Sequence, residues 1–313
     1  VNRRPLAALV AALLGATLLS ACGESSERDA SQQPQGATLR IRIGTQEFPE
    51  GRILGELWRQ ALAVNGYTVD LRKGVGPAEE LDQSLKDGDI DGYVAYTGTV
   101  LSVVAGEEVS GLDPEETYDR AADFYAGQDM VMSTMTPFEN KDAIAVTREY
   151  AQANGLTSIG DLAGVEGGVR LSARAEFESL QLGLEGLREV YGLEDVTFQP
   201  TELGEQYAAL DAEDADAADA FTTDPELESG AYTLLEDPER LFGSQNVVMV
   251  VGQQKLDSID ADAFMAVVAA VNRTLGEDAM VAMNAQVTAG EDEEDVARDH
   301  LRSVDLLTPL DLD

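Results

Sequence analysis

The chain has 313 residues, 59 acidic against 21 basic, one cysteine, one histidine and a formal net charge of −38. Its length suits two domains, and a hydrophobic content of 44% is enough to build cores. The charge speaks against nucleic acid and anionic surfaces. A single cysteine excludes an internal disulfide framework and a multi-cysteine zinc site, and a single histidine, His300, excludes a His-His metal motif and argues against a histidine-based nucleophilic triad.

Arg3 and Arg4 precede an apolar run over residues 6–19, shorter than the roughly 20 residues of a membrane span. A basic start, a short apolar core and small residues at its end read as an export signal. The segment Leu19-Ser20-Ala21-Cys22-Gly23 resembles the bacterial lipobox, in which cleavage precedes the cysteine and lipid is attached to it. This predicts a signal peptide over residues 1–21, lipid on Cys22 and a flexible polar tether over 22–37. The bland alternative is an ordinary signal peptide with an incidental cysteine. No later segment approaches 18 unbroken apolar residues. The expected location is therefore the outer face of the cell membrane, or its periplasmic side, held by the anchor alone.

The remainder alternates between two periods. Leu39, Ile41 and Ile43 alternate with Arg40 and Arg42, a strand. Ile53, Leu54, Leu57, Trp58, Ala61 and Leu62 form one stripe of a helix over residues 49–64, with Pro49 at its start and Asn65-Gly66 at its stop. Tyr67, Val69 and Leu71 alternate again, completing a βαβ unit and implying a parallel sheet. A short helix over 77–86 and a strand over 90–95 lead into Tyr96-Thr97-Gly98-Thr99. Further strands are expected at 143–146, 169–171, 196–198, 217–222, 232–235 and 246–251. Helices are expected at 177–191, from 205, at 262–275, 278–287 and 293–304. No repeat of fixed period is evident. The acidic runs at 211–219 and 291–295 lack the calcium-loop pattern and read as solvated faces.

Four segments, in order over roughly residues 39–305, resemble the substrate-binding proteins of ABC transporters for glycine betaine, carnitine and choline. They are Ile43-Gly44-Thr45-Gln46-Glu47-Phe48-Pro49-Glu50, Gly88-Asp89-Ile90-Asp91-Gly92-Tyr93-Val94-Ala95-Tyr96-Thr97-Gly98-Thr99, Phe138-Glu139-Asn140-Lys141, and Gly204-Glu205-Gln206-Tyr207-Ala208-Ala209-Leu210 with Phe221-Thr222-Thr223-Asp224 downstream. The resemblance implies an α/β, two-lobe periplasmic-binding-protein fold of type II, with two crossovers as a hinge and a ligand cleft between the lobes. Lobe one would be residues 38–145 plus 250–313, and lobe two 146–249. It further implies a monomeric solute receptor that hands a quaternary amine to ABC permease subunits, with no cofactor, no metal and no catalysis.

The family's cage is built from tyrosines. Tyr96 matches the tyrosine of its Tyr-Thr-Gly-Thr motif, Tyr207 the tyrosine before Ala-Leu, and Tyr232 a third wall. Gln46 takes the polar position after the first strand, and Thr99 would donate to a ligand carboxylate. Three positions depart from the pattern: Ala95 replaces a glutamate, Asp142 a tyrosine and Leu180 an arginine that would pair with a betaine carboxylate. Asp142 would attract a cation directly, and Arg174 and Arg170 are the available replacements for the arginine. These departures favour choline or another cation without a carboxylate. Trp58 reads as core. The competing functions are the same fold binding another cationic or amino-acid-like solute, an exported enzyme, for which no motif selects an acid–base pair, and a surface adhesion or signalling module.

Overall fold

The computed structural model describes residues 39–202 and 204–311. The predicted signal peptide, Cys22 and the tether lie outside the described residues.

Among the described residues ten strands form two five-stranded sheets. The first contains β1 (Arg40–Gly44), β2 (Thr68–Arg72), β3 (Gly92–Tyr96), β4 (Met130–Met132) and β10 (Val247–Gly252), in the order β2-β1-β3-β10-β4. The second contains β5 (Asp142–Thr147), β6 (Val169–Ala173), β7 (Val196–Pro200), β8 (Ala217–Phe221) and β9 (Tyr232–Leu234), in the order β7-β6-β8-β5-β9. Each is mixed. β1 runs parallel to β2 and β3, and β6 parallel to β7 and β8. The fourth strand, β10 or β5, is antiparallel to both of its neighbours.

The chain changes sheet twice. Backbone pairing commits Asp142 to Phe221 and Val247 to Tyr96, so the changes fall at residues 139–141 and 245–246, a few residues ahead of the boundaries read from the sequence. An isolated antiparallel bridge between Glu139 and Asn246 ties the two crossing segments together.

The βαβ unit forms as its periodicity predicts. The helix Pro49–Val64 buries Ile53, Leu54, Leu57, Trp58 and Leu62 against Ile41 and Ile43 of β1 and against Phe264, Val268 and Val271 of the helix Ala261–Asn272. Trp58 lies in this core, its indole N–H donating to Asn272 Oδ1 at 2.8 Å. A helix over Pro114–Ala126, with the Asp113 side chain accepting from the Glu116 N–H, is additional to those read from the sequence. Conversely, the helix expected over 177–191 is broken. A 3₁₀ turn spans Ala175–Ser179 and the helix proper is Leu184–Tyr191. Gly183 and Gly186 sit so close to the carbonyls of Phe177 and Gln181 that a side chain at either would collide, which marks a tight reversal rather than a continuous helix.

Candidate functional site

The carboxyl ends of β1, β3 and β8 and both crossing segments converge on one cavity of about 820 Å³. Crevices at the carboxyl ends of parallel strands are where α/β sheets hold ligands. Gln46, Glu47 and Phe48 follow β1, Tyr96 and Thr99 end and follow β3, and Phe221 ends β8. Asn140, Lys141, Asp142 and Gln245 come from the crossing segments and their edges.

Three aromatic rings face this space. Phe48 and Tyr96 belong to the first sheet's side, with centroids 5.9 Å apart, and Phe221 belongs to the second. Tyr96 is 6% exposed and its hydroxyl donates to Glu50 Oε1 at 2.8 Å. Burial, reinforced by the Glu50 charge, holds the phenol well above its ordinary pKa, so it stays protonated and donates. Glu50 is itself buried and accepts two further bonds, from Asn140 Nδ2 at 2.9 Å and Asn284 Nδ2 at 3.0 Å. Asn284 also donates to the Thr223 carbonyl at 2.9 Å. Glu50 therefore joins the aromatic wall, a crossing segment and the helix Glu277–Thr288, and through Asn284 it reaches the second sheet. A smaller cavity of about 330 Å³ lies on the far side of Phe48, Asn140 and Phe221, which line both spaces.

The other predicted residues divide into two groups. Gln46, Tyr96, Thr99 and Asp142 line the cavity together. Gln46 Nε2 donates to the Val94 carbonyl at 3.1 Å. The Thr99 N–H and hydroxyl both donate to Gln245 Oε1, at 3.0 and 3.2 Å. Asp142 accepts from Arg174 at 2.7 Å, and the same guanidinium holds buried Asp219. Burial, then the neighbouring Asp142 carboxylate, pushes Asp219 above the usual carboxylate range against the pull of Arg174.

Tyr207 and Tyr232 do not join this group. They pack on each other edge-on at 4.8 Å between centroids. Tyr207 is buried among Ala145, Ala218 and Ala220, its hydroxyl donating to Asp224 at 2.9 Å. Tyr232 donates to Asp211 at 2.7 Å and lines a separate space beside Arg170 and Asp216. Arg170 lies toward the opposite end of β6 from the cavity, clamped on Asp216. Of the two candidate replacement arginines, only Arg174 adjoins the cavity.

Phe48, Phe221, Glu50 and Asn140 lie within the family-like segments, but the sequence alone assigns them no role. Phe48 and Phe221 carried one available signal, since each sits at or just beyond the carboxyl end of a strand.

A sequence model described as the substrate-binding domain of ABC-type glycine betaine transport systems matches residues 40–303. A glycine-betaine-binding protein of Pseudomonas aeruginosa is 29% identical over 279 residues, 85% of this chain and 88% of that protein. The glycine betaine-binding protein YehZ of Escherichia coli is 25% identical over 218 residues, 66% of this chain and 72% of that protein. The crystal structure of a glycine betaine/carnitine/choline ABC transporter component superposes with a TM-score of 0.79 at 22% identity, covering 85% of this chain and 99% of that one. Ligand-free YehZ superposes with a TM-score of 0.74, also at 22% identity and with the same coverage. The two superpositions carry the fold: two α/β lobes of the type II periplasmic-binding-protein architecture.

Proposed function

Because the chain belongs to the family of substrate-binding domains of ABC-type glycine betaine transport systems, and is thus a solute-binding component rather than an enzyme, we propose that it captures a quaternary ammonium compound of the glycine betaine, choline or carnitine type outside the cytoplasm and delivers it to an ABC permease. The observation that carries this reading is the meeting of Phe48, Tyr96 and Phe221 in one cavity. A quaternary ammonium has no N–H to donate. It is held instead by the negative faces of aromatic rings, each contact contributing about 0.5–2 kcal/mol. Phe48, Tyr96 and Phe221 take the cage role in place of Tyr207 and Tyr232.

The rings come from both lobes, so a cation touching all three is bound better when the lobes approach. Ligand binding would then favour a closed form by its differential contacts. The permease would read that closed form. Cys22, if lipidated, would tether the monomeric receptor beside its transporter.

Calorimetric titration of the purified protein with glycine betaine, choline and carnitine tests the reading. Binding of at least one, abolished by Tyr96→Ala and by Phe221→Ala but retained by Tyr207→Phe, is expected. A folded sample that gives no heat with any of the three sinks it. Mass spectrometry of the membrane-associated protein, with Cys22→Ser as control, tests the anchor: an unmodified Cys22 would remove it.

A further inference from the structure

We infer that the cavity selects a ligand of net positive charge, of the choline kind, over a zwitterion such as glycine betaine. This rests on the quaternary-amine reading above and concerns the second half of the ligand, which the aromatic rings do not touch. A zwitterion brings a carboxylate with it. A carboxylate withdrawn from water needs a cation or several hydrogen-bond donors.

The cations beside the cavity already hold carboxylates, and of the cavity's side-chain amides only that of Gln245 donates to nothing among the described residues. Arg174 is shared between Asp142 at 2.7 Å and Asp219. Lys141 holds Glu139 at 2.6 Å. The Thr99 N–H and hydroxyl, well placed for a carboxylate after β3, both point at Gln245 Oε1. The amide groups of Gln46 and Asn140 donate to Val94 O and Glu50 Oε1. Those bonds fix the orientation of both amides, and their carbonyl oxygens are left buried with no donor among the described residues. Their dipoles are therefore uncompensated in a poorly screened setting.

The acids are the opposite case. Glu47 and Glu80 line the cavity, and neither makes an ion pair among the described residues. A ligand lodged against the rings lies in the field of both, and at physiological salt such fields persist over about 8 Å. A monocation gains the whole attraction. For a zwitterion the attraction on the ammonium is offset by repulsion of the carboxylate. The Asp142–Arg174–Asp219 cluster adds no compensating positive charge, because two carboxylates flank one guanidinium.

The test is a pair of titrations of the purified protein, with choline and with glycine betaine, repeated on the double variant Glu47→Gln, Glu80→Gln. Choline is expected to bind at least tenfold more tightly. The double variant is expected to narrow that ratio at least threefold while its unfolding transition stays in place. Glycine betaine binding as tightly as choline, or more so, overturns the inference and leaves the quaternary-amine reading intact. A tenfold preference unchanged in the double variant overturns the assignment to Glu47 and Glu80. Failure of both ligands to bind the folded protein overturns both the inference and the reading beneath it.

Discussion

The two sheets carry the same clamp. In the first, Arg42 in mid-β1 gives its backbone N–H and its guanidinium to Asp91, just before β3, at 2.8, 3.0 and 2.7 Å. In the second, Arg170 in β6 does the same with Asp216, just before β8, at 2.9, 2.9 and 2.6 Å. Each arginine also donates to a carbonyl in the turn before its aspartate, Gly88 in one and Glu213 in the other. Registered on these clamps, Tyr96 corresponds to Phe221, Thr97 to Thr222, Gln46 to Arg174 and Val94 to Asp219. Even the crossing contacts agree: the Thr97 N–H donates to Asn246 O, and the Thr222 N–H to Lys141 O. The two lobes are copies of one plan, and the copies differ at the cavity edge. Where the first lobe joins its strands with a neutral bond, Gln46 to the Val94 carbonyl, the second uses a buried charge pair, Arg174 to Asp219. At this position the first lobe's link is therefore insensitive to pH, and the second's is not.

The largest expected effect breaks that pair. Arg174→Ala leaves Asp219 and Asp142 together without their cation and should cost about 3–5 kcal/mol of stability. Gln46→Ala, at the corresponding position, removes one neutral hydrogen bond and should cost about 1 kcal/mol. Denaturant unfolding of the two variants measures the difference, and equal losses would undo the contrast between the lobes.

The pH dependence comes next. Burial pushes the Asp224 carboxyl up to about 6, against the Phe221 N–H and Tyr207 hydroxyl that favour its charged form. Unfolded aspartate titrates near about 3.9. Between these values the folded protein holds a proton that the unfolded chain releases. The stabilisation is thus complete below about pH 4 and is lost as pH rises through about 6, by up to about 3 kcal/mol. Asp219 is shifted in the same direction. The corresponding position in the first lobe is Thr99, which does not titrate in this range. Unfolding measured from pH 5 to 8 should show stability falling, and Asp224→Asn should flatten the slope. A stability that rises with pH would contradict the assignment.

A smaller effect sharpens the comparison at Gly98 and its counterpart Thr223. A Cβ on Gly98 would collide with the Ser244 carbonyl, where the returning crossing segment passes. Gly98→Ala should cost about 1–3 kcal/mol by forcing that segment aside. Thr223 already carries a side chain, so Thr223→Ala should lower the thermal midpoint less. The smallest effect concerns the ligand: Phe221→Leu keeps an apolar wall but removes a ring face, and should weaken quaternary-amine binding by about 0.5–2 kcal/mol. Titration calorimetry reads it directly, and an unchanged affinity would take Phe221 out of the cage.

Much of the fold was legible because its signals are local. The Ile41/Ile43 alternation and the apolar stripe from Ile53 to Leu62 each sit within one element, and both sides of β1 formed as read. The helix Pro114–Ala126 had a signal of its own in Asp113-Pro114-Glu115-Glu116, a capping residue followed by proline and acids, but its apolar stripe is weak. Gln46, Tyr96, Thr99 and Asp142, which line the cavity, were legible through the family motifs that the sequence resembles or departs from at those positions. Phe221 was hidden in Ala217-Ala218-Asp219-Ala220-Phe221, whose small and charged residues disguise its equivalence to the strand ending at Tyr96. Tyr207 and Tyr232 looked alike to Tyr96 in the sequence; what separates them is which carboxylate each hydroxyl meets.

By itself the sequence determined the alternation of strands and helices, the acidic surface and the strand ends from which a site could be built, since each depends on residues a few positions apart. Only the tertiary structure decided which strand ends meet. The bonds that decide it join Tyr96 to Glu50 across 46 residues, Asn140 to Glu50 across 90 and Asn284 to Glu50 across 234. A buried carboxylate must find its donors wherever the fold brings them, and no local period records where that is.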